Sequence, residues 1–133
     1  MTDEPVVSFE AAEKRYRRRG REVVALDGLT FAVGGPGVHG LVGPNGSGKT
    51  TALRALVGHV RLTSGSASLF GTQAGAPPRH LSLRRTGALL EAPRFYGRRS
   101  ARTALDLHRR RCAASAARVE EVLEVVGLAA RAD

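Results

Sequence analysis

Residues Gly43–Thr50 have the sequence GPNGSGKT, which fits the pattern G-x-x-x-x-G-K-[ST] of loops that bind the phosphates of a nucleoside triphosphate. Glycines let such a backbone curl until successive N–H groups face phosphate oxygens. Lys49 would bring a positive charge to the β- and γ-phosphates, and the hydroxyl of Thr50 is placed to bind Mg²⁺. The pattern therefore predicts a site for a nucleoside triphosphate and its magnesium ion.

The flanking residues predict the elements that must hold this loop. Val38–Val42 is predicted to be a short strand leading into it, and Thr50–Val57 a helix whose N-terminus faces the phosphates. Ala88–Leu90 predicts a second buried strand, which ends at Glu91. A strand, a phosphate-binding loop and a helix in this order indicate an α/β fold.

The residues before the loop predict an antiparallel ribbon. Val6–Glu10 alternates apolar and polar side chains, as a half-buried strand does, and a basic, glycine-containing loop is predicted after it. Val23–Leu26 and Leu29–Val33 are predicted to be strands joined by a hairpin turn at Asp27-Gly28.

The residues after the predicted helix divide into a strand, a loop and two helices. Ser66–Phe70 is predicted as the strand and Thr72–Arg79 as the loop. The pattern becomes helical from Ser100 onward. Ser115 is predicted to cap a final amphipathic helix, and Gly127 to end it.

Composition bounds the classes of function. The chain has 133 residues, of which 42% are hydrophobic, a proportion ordinary for a soluble globular domain. The single cysteine, Cys112, excludes an internal disulfide, and the four histidines have no metal-ligand spacing. The net charge of +9 could bind the phosphates of nucleic acid or of an anionic membrane. No aromatic residues alternate with the basic ones, however, as they would in a surface that stacks on bases. This pattern argues against nucleic acid and favours a solvated or partner-facing basic surface.

Further motifs follow one another in a characteristic order. Tyr16 precedes the segment Val23–Gly28, and the phosphate loop continues as GPNGSGKTT through Thr51. Gly87–Tyr96 and Ser100–Leu105 come later in the chain. Together these motifs resemble the nucleotide-binding subunit of ABC transporters, in a match that runs from about Val6 to Asp133. The resemblance implies a P-loop NTPase fold, here α/β with an antiparallel β ribbon, an incomplete parallel core and the start of a helical subdomain.

The resemblance also implies a set of ligands and roles. ATP and Mg²⁺ would be the cofactors, with Tyr16 stacking on the adenine ring. The implied nucleotide-binding residues are Tyr16, Gly43, Pro44, Asn45, Gly46, Ser47, Gly48, Lys49, Thr50 and Thr51. The implied metal ligands are Thr50 and Glu91. Glu91 stands where the family has the glutamine of its Q-loop, and a carboxylate can still contact Mg²⁺, directly or through water.

Several family features are missing from these residues. The family continues with an LSGGQ-type signature, a Walker B aspartate followed by a catalytic glutamate, and a switch histidine, none of which is found before Asp133. We therefore expect residues 1–133 to be a single, truncated nucleotide-binding domain that hydrolyses negligible ATP alone. Its predicted parts are the ribbon at 6–35, the P-loop core at 36–96 and the start of the helical subdomain at 97–133.

In the family, ATP hydrolysis drives transport, and the resemblance implies two protein partners. They are a transmembrane transporter subunit and a second nucleotide-binding subunit, paired head to tail so that ATP is sandwiched between them. The implied location is cytoplasmic, peripheral to the membrane through the transmembrane partner. The sequence of residues 91–96 most resembles that of subunits of the drug- or antibiotic-export type.

Two other classes stay open at the level of sequence. One is a small P-loop kinase or other NTPase in which Glu91 supplies the carboxylate for Mg²⁺. The other is a noncatalytic module that binds nucleotide, or binds a partner through its basic surface. The position of Tyr16 would separate the transporter class from the kinase class. A tyrosine beside the phosphate loop favours the former, and one packed in a core disfavours it.

Overall fold

The computed structural model describes residues 4–75, 80–91, 97 and 99–133, which fall into two compact units, Met1–Leu90 and Glu91–Asp133. The first unit contains a sheet and one substantial helix, and the second contains a pair of helices. In chain order the elements are β1 (Val7–Arg18), β2 (Arg21–Val33), α1 (Lys49–Leu56), β3 (Ser64–Leu69), β4 (Thr72–Gln73), α2 (His80–Leu83), α3 (Ala101–Cys112), α4 (Ala117–Val125) and a 3₁₀ turn (Ala129–Arg131). Among the described residues, no helix is long and apolar enough to cross a membrane.

The sheet has the strand order β2-β1-β3-β4, and every described pair is antiparallel. Its two long strands, β1 and β2, form a hairpin whose turn is Arg19-Gly20. Both turn residues have positive φ, 50° and 76°, as a two-residue hairpin turn of type I′ requires. The predicted loop after Glu10 is therefore wrong, because the strand continues through the basic residues.

Asp27-Gly28, predicted as the hairpin turn, is instead a bulge within β2. Ala12 pairs with Leu29 and Lys14 pairs with Leu26, so two residues of β2 face the single residue between Ala12 and Lys14. Gly28 has a φ of +62°, which suits a bulge as well as a turn. The same local chemistry serves both structures, and the pairing across the sheet decides between them.

The core of the first unit lies between the sheet and α1. Phe9 is almost wholly buried, and its ring centroid lies 5.0 Å from that of Phe31. Apolar side chains of β1, β2, β3 and α1 complete this cluster: Ala12, Leu26, Ala52, Leu56, Ala67 and Leu69. Burial of this face, more than the propensity of an eight-residue helix, holds α1 in place.

Two predicted strands do not form. Residues 38–42 and 88–90 have no strand structure, and their backbone groups make no hydrogen bond to other described residues. Val38 and Val42 are almost fully exposed, and Leu89 is 78% exposed. A buried parallel strand needs neighbouring strands to pair with, and the described residues offer these segments none. Both strand predictions are wrong for this structure, and so no parallel pair is present in its described sheet.

After α1, the structure agrees more closely with the predicted elements. The predicted strand at Ser66–Phe70 is confirmed as β3, one to two residues earlier in the chain. The predicted loop after it contains the two-residue strand β4, and residues 76–79 of that segment lie outside the described residues. The short helix α2 had no prediction.

In the second unit, α3 begins where the sequence predicted. The side chain of Ser100 caps the helix by accepting a hydrogen bond from the backbone N–H of Thr103 at 3.2 Å. The predicted cap at Ser115 is wrong, because α4 begins after Ala116, which has no side-chain acceptor. Ser115 contributes only its carbonyl, which accepts from the N–H of Arg118.

Gly127 terminates helix α4 as predicted, two residues after its last helical residue, Val125. Gly127 has a φ of +69°, and the N–H of Leu128 donates to the carbonyl of Leu123 at 2.8 Å, as in a Schellman motif. Leu123 is fully buried and forms a small core with Val119 and Ala132. This cap and core fix α4 against the end of the second unit.

Candidate functional site

The phosphate loop wraps around the ammonium group of Lys49. Its Nζ donates to the carbonyl oxygen of Gly43 at 2.7 Å and to that of Pro44 at 2.8 Å, with the Oγ of Ser47 at 3.5 Å. The N–H of Ser47 also donates to the carbonyl of Pro44, closing the turn. The cation predicted to meet the phosphates thus lies on the concave side of the loop.

Two glycines of the loop lie at close approaches, one to backbone and one to a side chain. At Gly48, with a φ of +91°, a Cβ would lie 2.3 Å from the carbonyl oxygen of Ala25 in β2. At Gly43 a Cβ would lie 2.7 Å from the Oγ of Ser47. The first approach seats the start of α1 directly on β2, and the second lets the loop close on itself.

The loop and the first turn of α1 together offer the donors that a triphosphate needs. Helix α1 begins at Lys49, so its first N–H groups have no partner within the helix and its dipole favours an anion there. Thr50 is exposed in this first turn, where its hydroxyl can bind Mg²⁺ held by the phosphates. Loop N–H groups, the Lys49 ammonium and the Thr50 hydroxyl are the donor set expected of a site for Mg·ATP. The residues present fit this ligand.

Tyr16 lies in β1 on the same hairpin that supports the loop. It pairs with Val23 of β2, only two residues before Ala25, whose carbonyl the loop approaches. At about 3.3 Å per residue, this offset corresponds to about 7 Å along the strand. The side chain is 39% exposed and belongs to neither buried cluster. Tyr16 is thus not a core residue. A core position would have disfavoured the transporter class.

Glu91 is an exposed carboxylate at the first residue of the second unit. Of the segment predicted to resemble a Q-loop, residues 92–96 lie outside the described residues. Within the described ranges, no group of three or more His, Cys, Asp or Glu side chains could hold a metal ion. A magnesium ion would therefore depend on phosphate oxygens for part of its shell, and the role of Glu91 stays a prediction.

The basic runs are partly neutralised by neighbouring acids. In the hairpin, Arg15 bonds to Glu22 at 2.8 Å and to Glu13 at 3.3 Å. These hydrogen bonds, that to Glu22 foremost, raise the pKa of Arg15, and the same contact lowers the pKa of Glu22. In α3, Asp106 accepts from Arg109 and Arg110. These ion pairs agree with an ordinary solvated surface for the residues involved.

Sequence reasoning missed two residues of this region. Ala25, whose carbonyl receives the close approach of Gly48, is an ordinary strand residue with no distinguishing signal. Lys14, in contrast, is one of only two lysines in the chain, and it stands two residues before Tyr16. Alternate residues of a strand share a face, so their spacing could have indicated a contact.

Comparison with known proteins agrees with this geometry. The family profile described as "ABC transporter" matches residues 26–133. The chain is 50% identical over 78 residues to the daunorubicin resistance ATP-binding protein DrrA2 of Streptomyces coeruleorubidus, covering 59% of this chain and 23% of that protein. It is 35% identical over 111 residues to the bacitracin transport ATP-binding protein BcrA of Bacillus licheniformis, covering 78% and 34%.

A third relative is the Nod factor export ATP-binding protein I of Burkholderia thailandensis. It is 41% identical over 83 residues, which are 62% of this chain and 26% of that protein. The chain therefore spans about a quarter to a third of the length of these relatives. The family match includes the phosphate loop with Lys49 and Thr50, and it favours the transporter class over the kinase class. The chain belongs to the ABC transporter family, as part of its ATP-binding domain.

Proposed function

We propose that this chain binds Mg·ATP as part of the ATPase subunit of an ABC transporter of the drug- or antibiotic-export type. The observation that carries the proposal is the phosphate loop, which surrounds the Lys49 ammonium and leads into α1, whose first N–H groups have no partner within the helix. In this proposal the loop binds the β- and γ-phosphates, Thr50 and Glu91 bind Mg²⁺, and Tyr16 stacks on adenine. The export class is supported by the names of the relatives, which refer to daunorubicin resistance, bacitracin transport and Nod factor export.

Calorimetric titration with Mg·ATP and with Mg·tripolyphosphate tests the phosphate part of the proposal. Hydrogen bonds to charged groups contribute roughly 1.5–3 kcal/mol each. Lys49→Ala should therefore lower the affinity for both ligands by about tenfold or more. Arg84→Ala is the matched control, since Arg84 is an exposed cation of the same unit outside the loop. Equal affinities of the wild type and Lys49→Ala would refute the phosphate-loop function.

The proposed partners are a transmembrane transporter subunit and a second nucleotide-binding subunit, and the proposed location is the cytoplasmic face of the membrane. Among the described residues no helix could span a bilayer. Co-expression with a candidate transmembrane subunit should move the chain into the membrane fraction. Recovery there without any such subunit would contradict the assignment of a transmembrane partner.

A further inference from the structure

Lys14 covers one face of the Tyr16 ring. Its Nζ lies 4.8 Å from the ring centroid, within the range of a cation–π interaction. The same ammonium donates a hydrogen bond to the carbonyl oxygen of Arg61 at 2.7 Å. In the described part of the chain, no carboxylate forms an ion pair with Lys14. Its charge is directed at the ring and at one peptide carbonyl.

The strand register places this pair on the side of the sheet that carries α1. Lys14 pairs with Leu26, which is buried in the same cluster as the α1 residues Ala52 and Leu56. The ring of Tyr16 lies on the same face of β1 as Lys14, because the two side chains are in contact. Arg61 lies in the connection that follows α1. Lys14 thus joins the ring of Tyr16 to the chain segment that leaves α1.

We propose that Lys14 is a positioning residue for the nucleotide base, which acts by holding Tyr16 as a stacking platform with one open face. This inference rests on the proposed binding of ATP. A ring that is 39% exposed would otherwise sample several orientations, and fixing it in advance lowers the entropic cost of binding. The ammonium lies over one face of the ring, and in this proposal the purine stacks on the other.

The proposal separates two roles that a lysine near ATP could have. A lysine that acts through Tyr16 affects ligands with a base and has no effect on tripolyphosphate. A lysine that attracts the phosphates directly affects both ligands, whether or not Tyr16 is present. Comparing Mg·ATP with Mg·tripolyphosphate, in wild-type and Tyr16→Leu backgrounds, therefore distinguishes these roles.

The variants are Lys14→Met, which keeps the length of the side chain without its charge, and Lys14→Arg, which restores the cation. Exposed cation–π contacts contribute about 0.5–1 kcal/mol, so Lys14→Met should lower the affinity for Mg·ATP about two- to fivefold. Lys14→Arg should recover most of that loss. Arg17→Met is the control for a lost charge, because Arg17 is an exposed cation of the same strand without a ring contact. It should bind both ligands like the wild type.

Tripolyphosphate binding in each sample also reports that the loop is folded, and Lys14→Gln serves as a second variant should Lys14→Met fold poorly. Two results overturn the proposal: an equal loss of affinity for both ligands, or the same loss in the Tyr16→Leu background. No effect of Tyr16→Leu itself on Mg·ATP also overturns it, together with the proposed stacking. Failure of the proposed function itself is a different result. It would be seen as equal binding of tripolyphosphate by the wild type and Lys49→Ala.

Discussion

The Cα of Gly48 lies so close to β2 that a Cβ placed on it would be 2.3 Å from the carbonyl oxygen of Ala25. Gly48 immediately precedes α1, and Ala25 lies in the hairpin strand next to buried Leu26. The phosphate loop is thus anchored to the antiparallel sheet at this point. The position of α1, and with it that of Lys49, depends on the absence of a side chain at residue 48.

Gly48→Ala should therefore destabilise the first unit more than Gly46→Ala does. Both residues have positive φ, +91° and +86°, which costs an alanine about 1–2 kcal/mol. A Cβ at Gly46 meets nothing within 4 Å, whereas at Gly48 the overlap with Ala25 adds roughly 1–3 kcal/mol. Chemical denaturation of the two variants measures the difference. Equal stabilities would mean that the close approach to β2 has no energetic consequence.

Tyr16→Ala should weaken ATP and GTP binding by similar amounts. Stacking of a base on an aromatic ring contributes on the order of 1–3 kcal/mol and tolerates different bases, because every base has a π face. Tyr16→Phe, which keeps the ring, should bind both nucleotides nearly as the wild type does. Competition titrations against a fluorescent nucleotide measure both affinities. A large loss for one nucleotide and none for the other would show that Tyr16 contributes hydrogen-bond specificity.

Local signals predicted the phosphate loop and its helix, because their chemistry lies within the fifteen consecutive residues Gly43–Val57. The predicted helix Thr50–Val57 matches α1 to within one residue at each end. The start of a helix at Ser100 and the termination of α4 by Gly127 were equally local predictions and are confirmed. Each of these features depends on neighbours along the chain, so the sequence contains the information directly.

Features that depend on partners across the sheet could not be predicted in the same way. Asp27-Gly28 suits a turn and a bulge equally, and only the pairing with β1 distinguishes them. The apolar pattern of Val38–Val42 indicates a buried strand, but a strand also needs neighbours to pair with. The spacing of Lys14 and Tyr16 indicates a shared face of β1, but their contact also depends on side-chain conformations that spacing alone does not determine.

The pKa of Asp106 should rise when Arg109 is replaced by glutamine. The hydrogen bond from Arg109, at 2.6 Å, is the main cause of the lowered pKa of this carboxyl, with Arg110 contributing as well. Because the pKa is lower in the folded chain, the carboxylate stabilises the fold when the pH is above the pKa of the unfolded chain, about 3.9. That contribution is lost as pH falls through the lower folded value.

An NMR titration of the Asp106 carboxyl carbon checks this prediction. Arg111→Gln is the matched control, because Arg111 is an exposed residue of the same helix and forms no ion pair with Asp106 in the described part of the chain. The control should leave the pKa of Asp106 lower than its ordinary value. An equal rise in both variants would attribute the shift to the general positive charge of the helix end rather than to the bond with Arg109.

The exposed segment 38–42 should cause self-association of the 133-residue chain. It combines apolar side chains with backbone groups that have no partner among the described residues, and such a segment can pair with another chain as an added strand. Val38→Thr should therefore lower the concentration-dependent association measured by light scattering. Val125→Thr makes the same change at an exposed valine of α4, where the helix satisfies the backbone, and should have less effect. If both variants change association equally, exposed apolar area alone is responsible and strand pairing is not involved.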